Sequence, residues 1–268
     1  MPEGGEPGES TREKITVECA WLAGNYMPRQ MDALLRGAFL DGDPAPAVES
    51  VRGAFTRWID RSPADGRIKL EFARKIHGMR VRAAAEPDAP LDAALRFPAH
   101  PSIHRIVTLG RRVQWLRTHA EGFRAAPAPP LLDARSPVRY DVATNTLDVG
   151  GVAGLGLFRA GWPLPHVMGT LGFEAARAML GMAIEGRYAP DHKGQLDANF
   201  APAGMLYDTA PASLDRAAAE IALMACDETR DAATQFMLAL AQHLADEPAR
   251  VNAVASAISL NGERPWCQ

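Results

Sequence analysis

The segment from Pro165 to Tyr188 constrains this chain more than any other. It reads as a helix that is apolar nearly all round, and such a helix must be enclosed by other elements instead of lying on a surface. Glu174 and Arg177 interrupt its middle, and Glu185 and Arg187 lie near its end. The rest of the chain has to wrap this helix and find partners for its charges. With 268 residues, 47 % of them apolar, there is enough material for a sizeable core. No apolar run approaches the roughly 20 residues of a membrane helix.

The elements around that helix follow from hydrophobic spacing. Residues 1–11 are rich in Gly, Pro and Glu and predict a disordered leader. Helices are expected over Glu13–Tyr26, Gln30–Leu40, Val48–Ile59 and from Ser62 through Met79. In the third, Val51, Phe55, Trp58 and Ile59 keep a 3-4 spacing; in the fourth, Ile68, Phe72, Ile76 and Met79 do so. Glu86–Pro101 is a Pro- and Ala-rich connector, and Ser102–Phe123 reads as a long helix. The period then changes. Val138–Val142 and Thr146–Val149 flank Ala143-Thr-Asn145, which predicts a β-hairpin. A glycine-rich apolar loop, Gly150–Gly161, leads into the buried helix. Ser213–Cys226 and Thr229–Ala245 predict two more helices before an irregular tail, Val251–Gln268. The expected class is mainly α with a small β-hairpin, divided into a leader (1–11), a helical cover segment (12–85) and a larger lobe (86–268).

Charge and cysteine content exclude several classes of function. A formal net charge of −3 gives no basic field for nucleic acid or an anionic membrane. Three scattered cysteines without a C-x-x-C pair suit a reducing cytoplasm. The start lacks a positive region followed by an apolar one, so no secretory signal is read there. The 25 arginines against four lysines, with abundant Ala, Gly and Pro, point to a GC-rich bacterial genome. His100-Pro-Ser-Ile-His104 has metal-like i, i+4 spacing, but Pro101 at the first helical turn places His100 outside the regular helix. His166 reads as a helix-start residue.

One ordered set of short motifs carries a resemblance. Tyr140-Asp-x-x-Thr-Asn145-Thr-Leu precedes Gly169-Thr-Leu-Gly-Phe173-Glu174-Ala-Ala-Arg177. Gly186-Arg-Tyr188, Asp191-x-Lys-Gly194-Gln-Leu196 and Leu214-Asp-Arg216-Ala-Ala-Ala-Glu220 follow. This order resembles the catalytic part of the neprilysin and endothelin-converting-enzyme family of zinc metallopeptidases. There a hairpin reads N-A-x-Y…N-x-I, the zinc helix reads G-x-x-x-x-H-E-x-x-H, and a third ligand lies in E-N-x-A-D. Weaker matches extend from Cys19 and Tyr26-Met-Pro to Pro248-x-Arg250-Val-Asn-Ala253 and Cys267, so the likeness spans residues 12–267. It implies a thermolysin-like, gluzincin-type catalytic lobe with a partial helical cover.

The chain departs from that family where the chemistry lies. The two histidine positions hold Phe173 and Arg177, and only Glu174 matches. The third-ligand position holds Arg216, over a spacing shorter than the family's, and the orienting acid becomes Glu220. Phenylalanine has no lone pair to offer a metal, and arginine is a permanent cation that repels one. Pro137 and Val138 take the place of the substrate-edge Asn-Ala pair, and proline removes a pairing donor. The family's transition-state histidine aligns with Leu244, with His243 adjacent in another register; Arg250 matches the retained arginine.

The resemblance therefore implies a pseudoenzyme with no metal and no cofactor. Glu174, Arg177, Arg216, Glu220 and Arg250 are its candidate groove residues. Glu174 is expected to form an ion pair with Arg177 or Arg216 in preference to acid–base work. The family's N-terminal lobe has no counterpart here. Leu34, Leu35, Phe39, Phe55 and Trp58 supply more apolar surface than four short helices bury among themselves. Some of them serve the internal core, and the remaining subset is expected to face a protein partner, either a homologous metallopeptidase or a second copy. A peptide is the further ligand implied. The alternative is an enzyme of metal-independent chemistry in a bacterial biosynthetic pathway, using Glu174 with Arg177 and Arg216. An active zinc peptidase with a non-standard ligand set ranks last.

Overall fold

The computed structural model describes residues 28–62, 66–83, 104–105, 107–108, 111, 137–141, 144–185, 211–226 and 229–246. The expected helix over Glu13–Tyr26, the 86–101 connector, most of the 102–123 helix, residues 186–196, Arg250 and the tail lie outside them, as does the boundary between residues 85 and 86.

The described residues are mainly helical, with one three-stranded sheet. In chain order the elements are α1 (Pro28–Phe39), α2 (Ala45–Arg61), α3 (Gly66–Gly78), β1 (Arg80–Arg82), β2 (Val138–Asp141) and β3 (Thr146–Val149). A 3-10 turn (Gly151–Leu155) follows, then α4 (Leu164–Val167), a π turn (Met168–Gly172) and α5 (Phe173–Glu185). The last two are α6 (Pro211–Leu223) and α7 (Arg230–His243).

The hairpin forms where the period changed. β2 and β3 pair antiparallel, with Tyr140 opposite Leu147, and Asn145 adopts φ +50° in the turn. Asparagine tolerates this left-handed conformation better than most residues. The Tyr140 hydroxyl lies 2.7 Å from Asn145 Oδ1 and ties the turn to the strand. Beyond the sequence expectation, β1 joins β3 in parallel, giving the order β1-β3-β2.

The expected single helix from Pro165 is divided into α4, the π turn and α5. From Val167 through Ala176 every residue is buried, so the demand for enclosure is met. α6 and β2 pack on α5, α7 packs on α4 and the π turn, and α2 reaches the π turn, α5 and α6. Val51, Phe55, Phe72, Leu147, Phe173, Met179, Ile221 and Phe236 all belong to one hydrophobic cluster. The front helices thus share a core with the later elements.

That shared core changes the role of two expected interface residues. Phe55 is fully buried, and Trp58 packs partly buried against the cluster. Phe55 is therefore core, not interface. Leu34 and Phe39 remain exposed on α1, and Leu35 is half-buried.

A buried ion pair fixes α1 to the sheet. Arg36 Nε donates to Asp32 Oδ2 at 2.6 Å, and its two terminal nitrogens donate to the carbonyls of Ala83 and Val149. Asp32 Oδ1 accepts from the Gly151 amide at 2.6 Å. A Cβ at Gly151 would meet the Asp32 carbonyl and the Arg36 amide at 2.7 Å, so glycine permits this close approach. Among the described residues no helix is long and apolar enough to cross a membrane.

Candidate functional site

Glu174 opens the first turn of α5 and is only 7 % exposed. A carboxylate at that depth needs compensation, and side chains on α5 and α7 supply it. His243, at the end of α7, places Nε2 2.9 Å from Glu174 Oε1. Arg177, one turn along α5, places a terminal nitrogen 4.0 Å from Glu174 Oε2. The same guanidinium sits with Nε 3.1 Å from Oδ1 of Asp215 on α6, a charge contact off the N–H line. Asp215 is 2 % exposed. The result is a chain of polar contacts, Asp215, Arg177, Glu174 and His243, linking α6, α5 and α7.

The ring of His243 also meets Phe173 edge-on, with centroids 6.1 Å apart at 70°. Phe173 is fully buried. Its ring thus forms one wall beside the imidazole, a role that needs an apolar body and no lone pair.

The candidate residues named from the sequence divide into two groups. Glu174 and Arg177 come together as expected, although the contact at 4.0 Å is looser than that between Glu174 and His243. Arg216 goes elsewhere. Its Nε lies 3.2 Å from Glu220 Oε1 on the half-exposed side of α6, so the Glu174–Arg216 alternative is not formed. Glu220 in turn accepts from the Trp58 indole at 3.3 Å, which ties α6 to α2. His104 is exposed, and His166 stacks edge-on against Trp162 with centroids 4.3 Å apart.

Two participants were not among the sequence candidates, His243 and Asp215. Both sit on buried stripes: Phe236, Leu240 and His243 follow an i, i+4, i+7 spacing, as do Asp215, Ala219 and Ala222. A polar residue on such a stripe is the signal that finds them. The family register pointed instead to Leu244, which is buried in the core.

This donor set does not suit a metal. Arg177 places its positive charge between the two carboxylates, and Phe173 offers no electron pair. Among the described residues no group of three His, Cys, Asp or Glu side chains is placed to hold an ion. What the arrangement offers chemically is a carboxylate–imidazole pair, braced by arginine, in which the carboxylate fixes the ring orientation. No family model, curated protein or solved structure matches this chain.

Proposed function

We propose that the chain is a non-catalytic, peptidase-like binding protein that works as a partner subunit. In this reading the fold is a degenerate thermolysin-like lobe in which β2 and α6 pack on α5. The observation that carries it is the engagement of Glu174 by His243 and Arg177. The carboxylate that would serve a metal-bound water is held by the protein's own charges. The partner is a homologous metallopeptidase or a second copy in the bacterial cytoplasm, and the further ligand is a peptide.

Binding of fluorescent unstructured peptides, followed by anisotropy with and without added zinc and chelator, tests this. Expected are saturable binding indifferent to both additions and peptides that stay intact. Chelator-sensitive cleavage, or no binding of peptide or protein by material at micromolar concentration, overturns it.

The Glu174–His243 contact itself favours a second reading, an enzyme of metal-independent acid–base chemistry. A buried carboxylate orienting a partly exposed imidazole is an arrangement that general bases use. A turnover that His243→Gln abolishes while the unfolding midpoint stays near the parent's supports this reading over the first.

A further inference from the structure

The π turn that precedes Glu174 contains the device that brings this residue to His243. In an α-helix each amide reaches four residues back; here the Phe173 amide reaches the Met168 carbonyl, five residues back. One extra residue is thereby accommodated just before α5. At 3.6 residues per turn, such an insertion turns everything downstream by about 100° around the axis. Glu174 is the second residue after the turn, so its direction depends directly on that insertion.

Two residues hold the turn in place. Gly169 lies against α7 so closely that a Cβ would come within 2.5 Å of the Phe236 carbonyl, 2.9 Å of Ala239 Cβ and 3.0 Å of the Leu240 amide. Ala239 and His243 are four residues apart and share a face of α7. The contact at Gly169 therefore sets the depth and rotation of the face that carries His243. Thr170 is buried, and its hydroxyl donates to the Leu157 carbonyl at 2.7 Å, with the His166 and Val167 carbonyls at 3.1 and 3.3 Å. It anchors the wide turn to the loop before it.

We propose that Gly169 and Thr170 are positioning residues for the Glu174–His243 pair, acting through the π turn they occupy. The proposal stands apart from the functional reading, because the pair is set in the same way whether the site binds or catalyses. Gly172 provides an internal control: the atoms nearest to a Cβ there are the flexible Met168 thioether at 2.9 Å and Met168 Cβ and Val51 at 3.4 Å, none of them on α7.

The test is a double-mutant cycle of Glu174→Gln and His243→Gln, read from urea unfolding of the full chain without ligand. It is run in the parent and in Gly169→Ala, Thr170→Val and Gly172→Ala backgrounds. The parent and Gly172→Ala should show coupling of about tenfold in the unfolding equilibrium. In Gly169→Ala the coupling should vanish, and in Thr170→Val it should fall. A merely structural role lowers stability but leaves the coupling intact, and that result overturns the proposal. So does a parent coupling near unity. If Gly169→Ala does not fold, the nearly isosteric Thr170→Val decides in the same way. Peptide binding does not enter the measurement, so failure of the functional reading leaves its outcome unchanged.

Discussion

His243 Nε2 lies 2.9 Å from Glu174 Oε1, and this contact, beside the edge-on Phe173 ring, joins the last described helix to the start of α5. It answers the demand made by a carboxylate placed in the most apolar part of the chain. Removing the imidazole leaves Glu174 with Arg177 at 4.0 Å as its remaining charge partner among the described residues. His243→Ala is expected to cost about 2 kcal/mol, the penalty of a buried charged acceptor losing its donor. Urea unfolding at neutral pH checks it, and a cost within 0.5 kcal/mol of zero, the level of an ordinary surface change, contradicts it.

Arg177 and Arg216 look alike in sequence but do different work. Arg177 sits between two buried carboxylates, whereas Arg216 pairs with Glu220 at the surface. Arg177→Met leaves Glu174 and Asp215 without the cation between them and should cost about 2 kcal/mol. That is less than the 3–5 of a fully buried pair, because the side chain is half-exposed. Arg216→Met should cost below about 1 kcal/mol. Equal losses in the two variants would show that the charge chain contributes nothing beyond surface pairing.

Much of this arrangement was legible because spacing reports burial. Val51, Phe55 and Ile59 announced α2, and the change to period two around Asn145 announced the hairpin. β1 was not legible. Arg80-Val-Arg82 is too short to show alternation, and it becomes a strand only because β3, more than sixty residues later, pairs with it. The π turn left no mark either, since one inserted residue barely disturbs an apolar run. Counting back from Arg250 pointed to Leu244, which is buried in the core, whereas His243 one residue earlier meets Glu174. α7 lies close against Gly169, a tertiary contact that spacing along the chain does not report.

Arg36 holds Asp32 and two backbone carbonyls that terminate different strands. A lysine cannot reproduce that geometry, because one ammonium does not span three acceptors arranged around a planar fork. Arg36→Ala should destabilise the protein by about 3–5 kcal/mol by leaving Asp32 buried and unpaired. Arg36→Lys should recover less than half of that loss. Full recovery by lysine, measured by urea unfolding, would reduce the fork to a simple charge.

Lys75 gives the pH dependence a definite sign. Burial lowers its pKa below the ordinary value near 10.5, and the neighbouring Glu71 carboxylate only partly opposes this. The folded chain therefore releases this proton at lower pH than the unfolded chain does. The burial penalty is fully present at neutral pH, where both states are charged, and fades as pH rises through the lowered value towards 10.5. Lys75→Met should be more stable than the parent at neutral pH, with an advantage that shrinks as the solution becomes alkaline. Urea midpoints of the two proteins, compared across that range, test it; an advantage that grows with pH has the wrong sign.

Placing histidines at 173 and 177, the positions that the resemblance gives to zinc ligands, should not create a peptidase. Phe173→His puts an imidazole where a fully buried phenyl ring packs against the core and against His243. Arg177→His strips Asp215 and Glu174 of the cation between them. The double variant therefore pays twice in stability, once for a poorly packed polar ring and once for the lost cation between two buried carboxylates. It also gains no third ligand, because Arg216, at the position that the resemblance gives to that ligand, remains engaged with Glu220. Catalytic groups that act as a unit give little when only some are present. The expected result is a variant destabilised by about 3 kcal/mol or more that cleaves no peptide with zinc supplied. Chelator-sensitive cleavage by this variant would mean that the charge chain yields readily to a metal, and that α5 and α6 can still assemble a working ligand set.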